Sequence, residues 1–263
     1  MASMMTWNII LWTYILVTCR IDGEAKTGIS LKSIVVDGSK VVEVLKGTIG
    51  PNDFPLPSSV TSFTAQEDVI IQEIPNNAFS SNPNLKTVVI LSTSDHTFSI
   101  GSSAFSGCTH LELVQISGAT SLAGLAFNGC SHLQSVVLND LIQISGNSHF
   151  NGCSELDSLS LQSLTTVDSS SSMIFQGCTQ FSTIVLPSTP PKTFHKSVFS
   201  GLNDQLNLVV PKENDYLNYD RDTSVSGDSS NDGLWCGLTL PTSIVNIKVN
   251  KRNAVITGLK LSD

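Results

Sequence analysis

Hydrophobic side chains recur along residues 74–211 at a nearly constant interval. Each interval holds a phenylalanine, a short polar link and then apolar residues in the order hydrophobic-x-x-hydrophobic-x-hydrophobic. The intervals are 26, 22, 23, 25 and 24 residues, between Phe79, Phe105, Phe127, Phe150, Phe175 and Phe199. A strict period in the twenties is typical of a stacked solenoid, in which no repeat can bury its apolar face alone.

Three elements are predicted for each repeat. The alternating apolar run predicts a β-strand, because successive side chains of a strand point to opposite faces. A polar turn follows, and it ends in an inward aliphatic residue at Ile74, Ile100, Leu122, Ile144 and Val167. The segment around each phenylalanine predicts a short helical turn, which a glycine closes because it takes the left-handed conformation without a clash. The predicted fold class is therefore an α/β repeat: a solenoid of short parallel strands and short helical turns with β-rich caps at both ends.

Four central copies share the string F-x-G-C, with the cysteine three residues after each phenylalanine, at Cys108, Cys130, Cys153 and Cys178. With the leucine three residues beyond the cysteine and the Leu-Pro strand ending, this pattern resembles the BspA-type leucine-rich repeat. The resemblance covers about Phe54 to Pro211 and departs from the pattern at Asn82 and Leu202, which replace the cysteine in the terminal copies. It implies a surface-exposed protein of bacteria or protozoan parasites that binds host extracellular-matrix or cell-surface proteins, with no shared catalytic residues.

The repeats divide the chain into five regions. Residues 1–19 contain an uncharged apolar run that predicts a signal peptide, with an uncleaved N-terminal anchor or a lipoprotein box at Cys19 as alternatives. Residues 20–73 are predicted to form an N-terminal cap, with a hairpin around Asp37-Gly38 and a degenerate repeat in which Leu56-Pro57 ends a strand. The leucine-rich repeats occupy 74–211, an acidic exposed loop 212–233, and a C-terminal β cap 234–263.

Composition narrows the function. The net charge of -8 argues against nucleic-acid binding, which needs clustered Lys and Arg. Charged residues are 14% of the chain, while 39 Ser and 22 Thr provide a hydroxyl-rich surface that is ordinary for secreted proteins. Together with the N-terminal segment, this predicts a secreted or cell-surface protein.

The residues that could carry chemistry have simpler interpretations. The repeat cysteines are expected to form a buried, reduced ladder, with disulfides or a metal as alternatives. His110 and His132 could offer nitrogen ligands to zinc, but their column is otherwise polar and mixed, which indicates a solvent-facing loop. Asp220–Ser224 and Asp228–Gly233 carry oxygen donors for calcium, yet the EF-hand order fails. No hydrolase, Walker or dinucleotide motif occurs, so no enzyme activity, cofactor or metal is predicted.

The outward strand positions form the candidate binding site. They are nearly uncharged and mix small polar groups with Val and Leu: Thr87, Val89, Leu113, Gln115, Ser117, Ser135, Val137, Asn139, Ser158, Ser160 and Gln162. We refer to these eleven residues as the sheet face. The predicted function is adhesion-type binding of an extracellular protein or glycan, from the matrix or a cell surface, with no nucleic acid and no membrane contact beyond an N-terminal anchor. A self-associating coat or wall component is the alternative, and a scaffold-borne hydrolase is the remote one.

Overall fold

The computed structural model describes residues 40–92, 95–168 and 171–187 with their side chains, and otherwise the backbone of strands within 20–36, at 39, and within 206–261. One 3-10 turn, Pro51–Asp53, lies in the described part of the chain. The strands, numbered β1 to β19, are Arg20–Ile21, Glu24–Ala25, Ser30–Val36, Ser39–Ile49, Val60–Ala65, Val69–Ile71, Thr87–Leu91, Phe98–Ile100, Leu113–Ser117, Ala119–Leu122, Ser135–Val137, Gln143–Ile144, Ser158–Ser160, Thr166–Val167, Thr183–Val185, Leu206–Pro211, Leu238–Thr239, Ile247–Val249 and Asn253–Leu261.

The repeats stack as a parallel β-solenoid, which confirms the predicted fold class. Strands β4, β5, β7, β9, β11, β13, β15 and β16 lie side by side and parallel in one large sheet. Antiparallel strands continue it at both ends, β3 beside β4 and β19 beside β16. The antiparallel pairing of β3 with β4 is the one that the predicted hairpin requires.

A second, smaller sheet closes each coil on the opposite side of the core. Its strands β8, β10, β12 and β14 are also parallel and in chain order. Each ends in one of the inward aliphatic residues predicted from sequence, and Ile100, Leu122, Ile144 and Val167 are all buried. The core therefore lies between the two sheets and runs continuously along the stack.

Phenylalanine side chains form one column through this core. The rings of Phe79, Phe105, Phe127 and Phe150 stack nearly parallel, with centroids 4.9, 4.9 and 5.2 Å apart, and Phe175 follows at 5.7 Å. All five side chains are fully buried. Fully burying an aromatic side chain contributes roughly 1.5 to 3 kcal/mol, so the column is a main source of stability. The copy at Phe199 lies outside the described residues.

The segments around the phenylalanines are hydrogen-bonded turns without helical geometry, where the sequence predicted short helical turns. In the coil of Phe105, every second amide donates to a carbonyl of the next coil: Ser103 to Gly124 at 3.0 Å, Phe105 to Ala126 at 2.7 Å and Gly107 to Asn128 at 2.8 Å. The amides between them bond locally, three residues back. Because half of the N–H groups are used between coils, the continuous i to i-4 ladder of an α-helix does not form.

The repeat pattern begins one coil earlier than Phe79. Ile49, Phe54, Val60, Phe63 and Ala65 each precede their counterparts in the Phe79 coil by 25 residues, and β5 pairs in parallel with β7. The strand of this coil starts at Val60, so the match that placed a strand end at Leu56-Pro57 was wrong. Phe54 nevertheless meets the aromatic column edge-on, 5.3 Å from Phe79.

Candidate functional site

The sheet face is built by the register of the parallel strands. Thr87, Leu113, Ser135, Ser158 and Thr183 pair in one row across the sheet, and Val89, Gln115, Val137, Ser160 and Val185 pair in the next. The residues between the two rows are buried, so both rows point away from the core. The structure thus brings together the outward residues predicted from sequence.

The far end of the face carries a small polar network. Asn139 and Gln162 lie two residues beyond the ends of their strands and are exposed. Ser160 Oγ donates to Asn139 Oδ1 at 2.9 Å, and Gln162 Nε2 donates to Ser160 Oγ at 3.2 Å. These contacts hold an amide and a hydroxyl in fixed positions, which reduces the ordering entropy lost when a partner binds.

The face extends further than the sequence indicated. Ser62 and Thr64 of β5 pair with Thr87 and Val89, so they continue both rows into the preceding coil. Gln66, which follows this strand, donates to Glu43 Oε1 at 2.9 Å. The signal that could have revealed them is the constant offset of 25 residues between Phe54 and Phe79.

The four repeat cysteines are free and fully buried. Each thiol donates to the carbonyl of the phenylalanine in the preceding coil, at 2.9 Å for Cys108 and Phe79, 3.1 Å for Cys130 and Phe105, 3.2 Å for Cys153 and Phe127, and 3.0 Å for Cys178 and Phe150. Burial raises the pKa of Cys108 to about 11 and that of Cys178 to about 12. The thiols therefore stay protonated near neutral pH, where a metal ligand or nucleophile has to be a thiolate.

His110 and His132 lie on the solvent side of the turns before β9 and β11. Their rings are parallel with centroids 5.5 Å apart. Nδ1 of His132 lies 2.6 Å from the carbonyl of Thr109, and its Nε2 lies 3.9 Å from Glu155. No group of three potential metal ligands occurs among the described residues, so the pair is a stacked surface feature and carries no assembled metal centre there.

His149 is a buried titratable residue that the sequence did not point out. It precedes Phe150 at the position where three earlier coils have Ala78, Ala104 and Ala126. Its Nε2 donates to the Ser145 carbonyl at 2.9 Å, while Nδ1 is buried without a hydrogen-bond partner among the described residues. Burial lowers the pKa of His149 to about 4, so the ring is neutral at physiological pH.

Several predicted features lie outside the described residues. These are the apolar segment 1–19, the repeat copy at Phe199, and the acidic loop 212–233 with its calcium-type oxygen donors. Among the described residues, no helix is both long and apolar enough to cross a membrane.

Comparison with known protein families gives one match. The family of BspA type leucine rich repeat regions matches residues 45–124 and 99–220, with six copies. This span covers more than half of the chain and includes the coil of Phe54. No curated protein is similar enough in sequence to count as a match.

Solved structures of the same repeat class are also similar to the chain. A leucine-rich repeat protein of T. pallidum is 19% identical over 66% of this chain and 78% of its own, with a TM-score of 0.44. A leucine-rich cell-surface protein of Faecalibacterium prausnitzii is 18% identical over 64% of this chain and 56% of its own, with a TM-score of 0.37. A leucine-rich repeat protein of Eubacterium ventriosum is 11% identical over 66% and 75%, with a TM-score of 0.27.

Proposed function

Because the chain belongs to the BspA-type leucine-rich repeat family, we propose that it is a secreted or cell-surface protein that binds host or neighbouring-cell macromolecules in adhesion. Leucine-rich repeat arrays are generally non-enzymatic scaffolds for protein binding. The observation that carries the proposal is the sheet face, which presents two in-register rows of uncharged side chains on a rigid, hydrogen-bonded sheet. The ligand is an extracellular protein or glycan.

The chemistry of the sheet face suits many weak contacts with one partner. Gln115, Ser135 and Asn139 are exposed donors and acceptors, and aliphatic side chains such as Val137 lie beside them. A net hydrogen bond contributes about 0.5 to 1.5 kcal/mol, so three such bonds together change affinity by at least about tenfold. A preformed sheet loses little conformational entropy on association, so these contributions are retained.

The test removes polar groups from the face without touching the core. We expect the triple variant Gln115→Ala, Asn139→Ala and Ser160→Ala to bind purified matrix proteins at least about tenfold more weakly than the parent chain. Surface plasmon resonance measures this against a panel of immobilised matrix proteins. Mass in solution at several concentrations is measured in parallel.

The matched control removes three polar side chains from the second sheet. Ser99→Ala, Ser121→Ala and Gln143→Ala alter outward residues of β8, β10 and β12, and they should leave binding unchanged. Equal losses in the two triple variants, or no loss in either, would remove the sheet face as the site. Concentration-dependent assembly without retention on any matrix protein would favour the coat or wall component.

A further inference from the structure

Negative charge predominates strongly in residues 47–187, which contain the stacked coils. Residues 47–187 contain ten carboxylates and a single basic residue, Lys86, which gives a formal net charge of -9. The remainder of the chain contains thirteen Lys and Arg and twelve Asp and Glu, a net charge of +1.

Carboxylates stand along both edges of the uncharged sheet face. In a parallel sheet the carboxyl ends of the strands meet at one edge and the amino ends at the other. The turns that follow β5, β7 and β11 place four exposed carboxylates at the first edge, Glu67, Asp68, Asp95 and Asp140. The segments just before β9 and β13 place three at the second edge, Glu112, Glu155 and Asp157. We call these seven residues the acidic rim.

Few of the rim carboxylates are neutralised from within the described residues. Lys86 Nζ lies 3.9 Å from Glu112 Oε1, and both side chains are more than half exposed, so solvent weakens the pair. Glu155 is near His132 at 3.9 Å and accepts from Gln134 at 3.1 Å. Asp140 accepts from the Gly118 amide at 2.8 Å, and no cation is paired with Asp95, Glu67 or Asp68 among the described residues. The rim therefore keeps a negative potential that reaches a partner before contact.

We infer that the partner bound by the sheet face is a protein whose contact surface is uncharged at its centre and carries Lys or Arg around it. This inference rests on the proposed function of the sheet face. Complementary charge accelerates association, and juxtaposed like charges disfavour wrong partners. Sulfated or carboxylated glycans are negatively charged, and a second copy carries the same acidic rim around its sheet face, so both are disfavoured as occupants. The inference thereby narrows the ligand from any extracellular macromolecule to a cationic protein surface.

A random library of short peptides tests the inference, because the chain itself selects the ligands that fit it. The library is selected on the immobilised full chain, and we expect the enriched peptides to carry an excess of Lys and Arg over the unselected library. Their association rate should fall at least about tenfold when NaCl rises from about 0.05 to about 0.5 M, because salt screens the steering field. Passage over a heparin column should give no retention.

Two charge variants separate the rim from the general charge of the chain. The rim variant Glu67→Gln with Asp95→Asn and the control variant Glu73→Gln with Asp168→Asn remove the same net charge, but Glu73 and Asp168 lie beside the second sheet. The rim variant should slow association of the enriched peptides by about threefold or more, and the control variant should not. Enriched peptides without excess Lys and Arg, equal rates in the two variants, or retention on heparin would each overturn the inference.

The face variant with Gln115, Asn139 and Ser160 replaced by Ala distinguishes failure of the proposed function from failure of the cationic-partner inference. If uncharged peptides are enriched and the face variant loses them, the proposed function stands and the cationic partner is rejected. If the selected peptides bind the face variant as well as the parent chain, the sheet face is not the site, and the proposed function fails together with the inference.

Discussion

Acid should weaken this fold through one side chain, His149. The ring is fully buried in the core, Nε2 donates to the Ser145 carbonyl at 2.9 Å, and the Leu122 backbone also lies close to the ring. Burial lowers its pKa from an ordinary value of 6.5 to about 4, against a smaller opposing effect of nearby backbone carbonyls. Protonation therefore places an unpaired charge in an apolar environment, and the folded state resists it.

The sign and size follow from the two pKa values. The unfolded chain takes up a proton at His149 near pH 6.5, whereas the folded chain does so near pH 4. Stability is complete above about pH 6.5 and falls as the pH drops below it, because the unfolded state then binds more protons. One pKa unit corresponds to about 1.4 kcal/mol, so the loss is about 2 kcal/mol at about pH 5 and about 3 kcal/mol at about pH 4.

The assay compares the free energy of unfolding of the parent chain with that of His149→Gln. Glutamine does not titrate and its amide can still donate to the Ser145 carbonyl. Urea unfolding followed by circular dichroism at about pH 7 and about pH 5 should show a loss in the parent chain that exceeds the loss in His149→Gln by about 2 kcal/mol. Carboxylates that titrate in this range contribute equally to both chains and cancel in the difference.

An exposed histidine provides the control. His132→Gln removes a side chain that is 50% exposed. The free energy of unfolding of this variant should change with pH as that of the parent chain does. Parallel losses in the parent chain and His149→Gln would refute the reasoning, because they would mean that the buried ring is protonated at no extra cost. A chemical shift titration of the His149 ring gives the folded pKa directly.

Three further predictions concern the buried cysteines, the column of phenylalanines and the turns. Cys108 and Cys178 should resist thiol-specific alkylation in the folded chain at about pH 8 and react after unfolding, because burial keeps both thiols protonated. Peptide mass spectrometry measures the labelling, and rapid labelling of the folded chain would contradict their burial. Phe127→Ala should cost about 3 to 5 kcal/mol in urea unfolding, and Phe127→Leu clearly less, because the ring stacks on both neighbours. Leu125 is exposed at a φ of 62°, so Leu125→Gly should raise the free energy of unfolding by about 1 kcal/mol; Leu125→Ala, which keeps the side-chain clash of that φ, should not.

The column of buried phenylalanines and cysteines could be predicted from the sequence, because these residues recur at the same positions of successive repeats. Phe105, Phe127 and Phe150 recur with a cysteine three residues later, so one coil defines the next and no long-range information is needed. The coil of Phe54 was harder to place, because Phe63 and Ala65 stand where later coils have Val and Ile. Buried residues of a different size obscure the repeat period in the sequence, although the backbone of this coil stacks as in the other coils.

Two other features could not be predicted from local sequence. The turn around each phenylalanine looks helical locally, but its alternate amides bond to another coil, as Phe105 does to Ala126. His149 stands at a position that Ala104 and Ala126 fill as buried residues in earlier coils, and Phe150 follows Ile144 by six positions where Phe127 follows Leu122 by five. The repeat period also does not indicate which residues bind a partner, because core packing constrains the residue types at inward positions and not those at outward positions.

The hydroxyl-rich composition follows in part from stacking itself. A like charge repeated in successive coils would place equal charges about 5 Å apart, which costs about 1 kcal/mol per pair even at the dielectric constant of bulk water. The column before the strands avoids this, with Gln134 between Glu112 and Asp157. Hydroxyls carry no such penalty and gain a bond from repetition, since Ser131, Ser154 and Thr179 each donate to the carbonyl of the same column in the preceding coil, at 3.3, 3.1 and 3.2 Å. The scarcity of charge in the stacked columns is thus in part an effect of the repeat architecture.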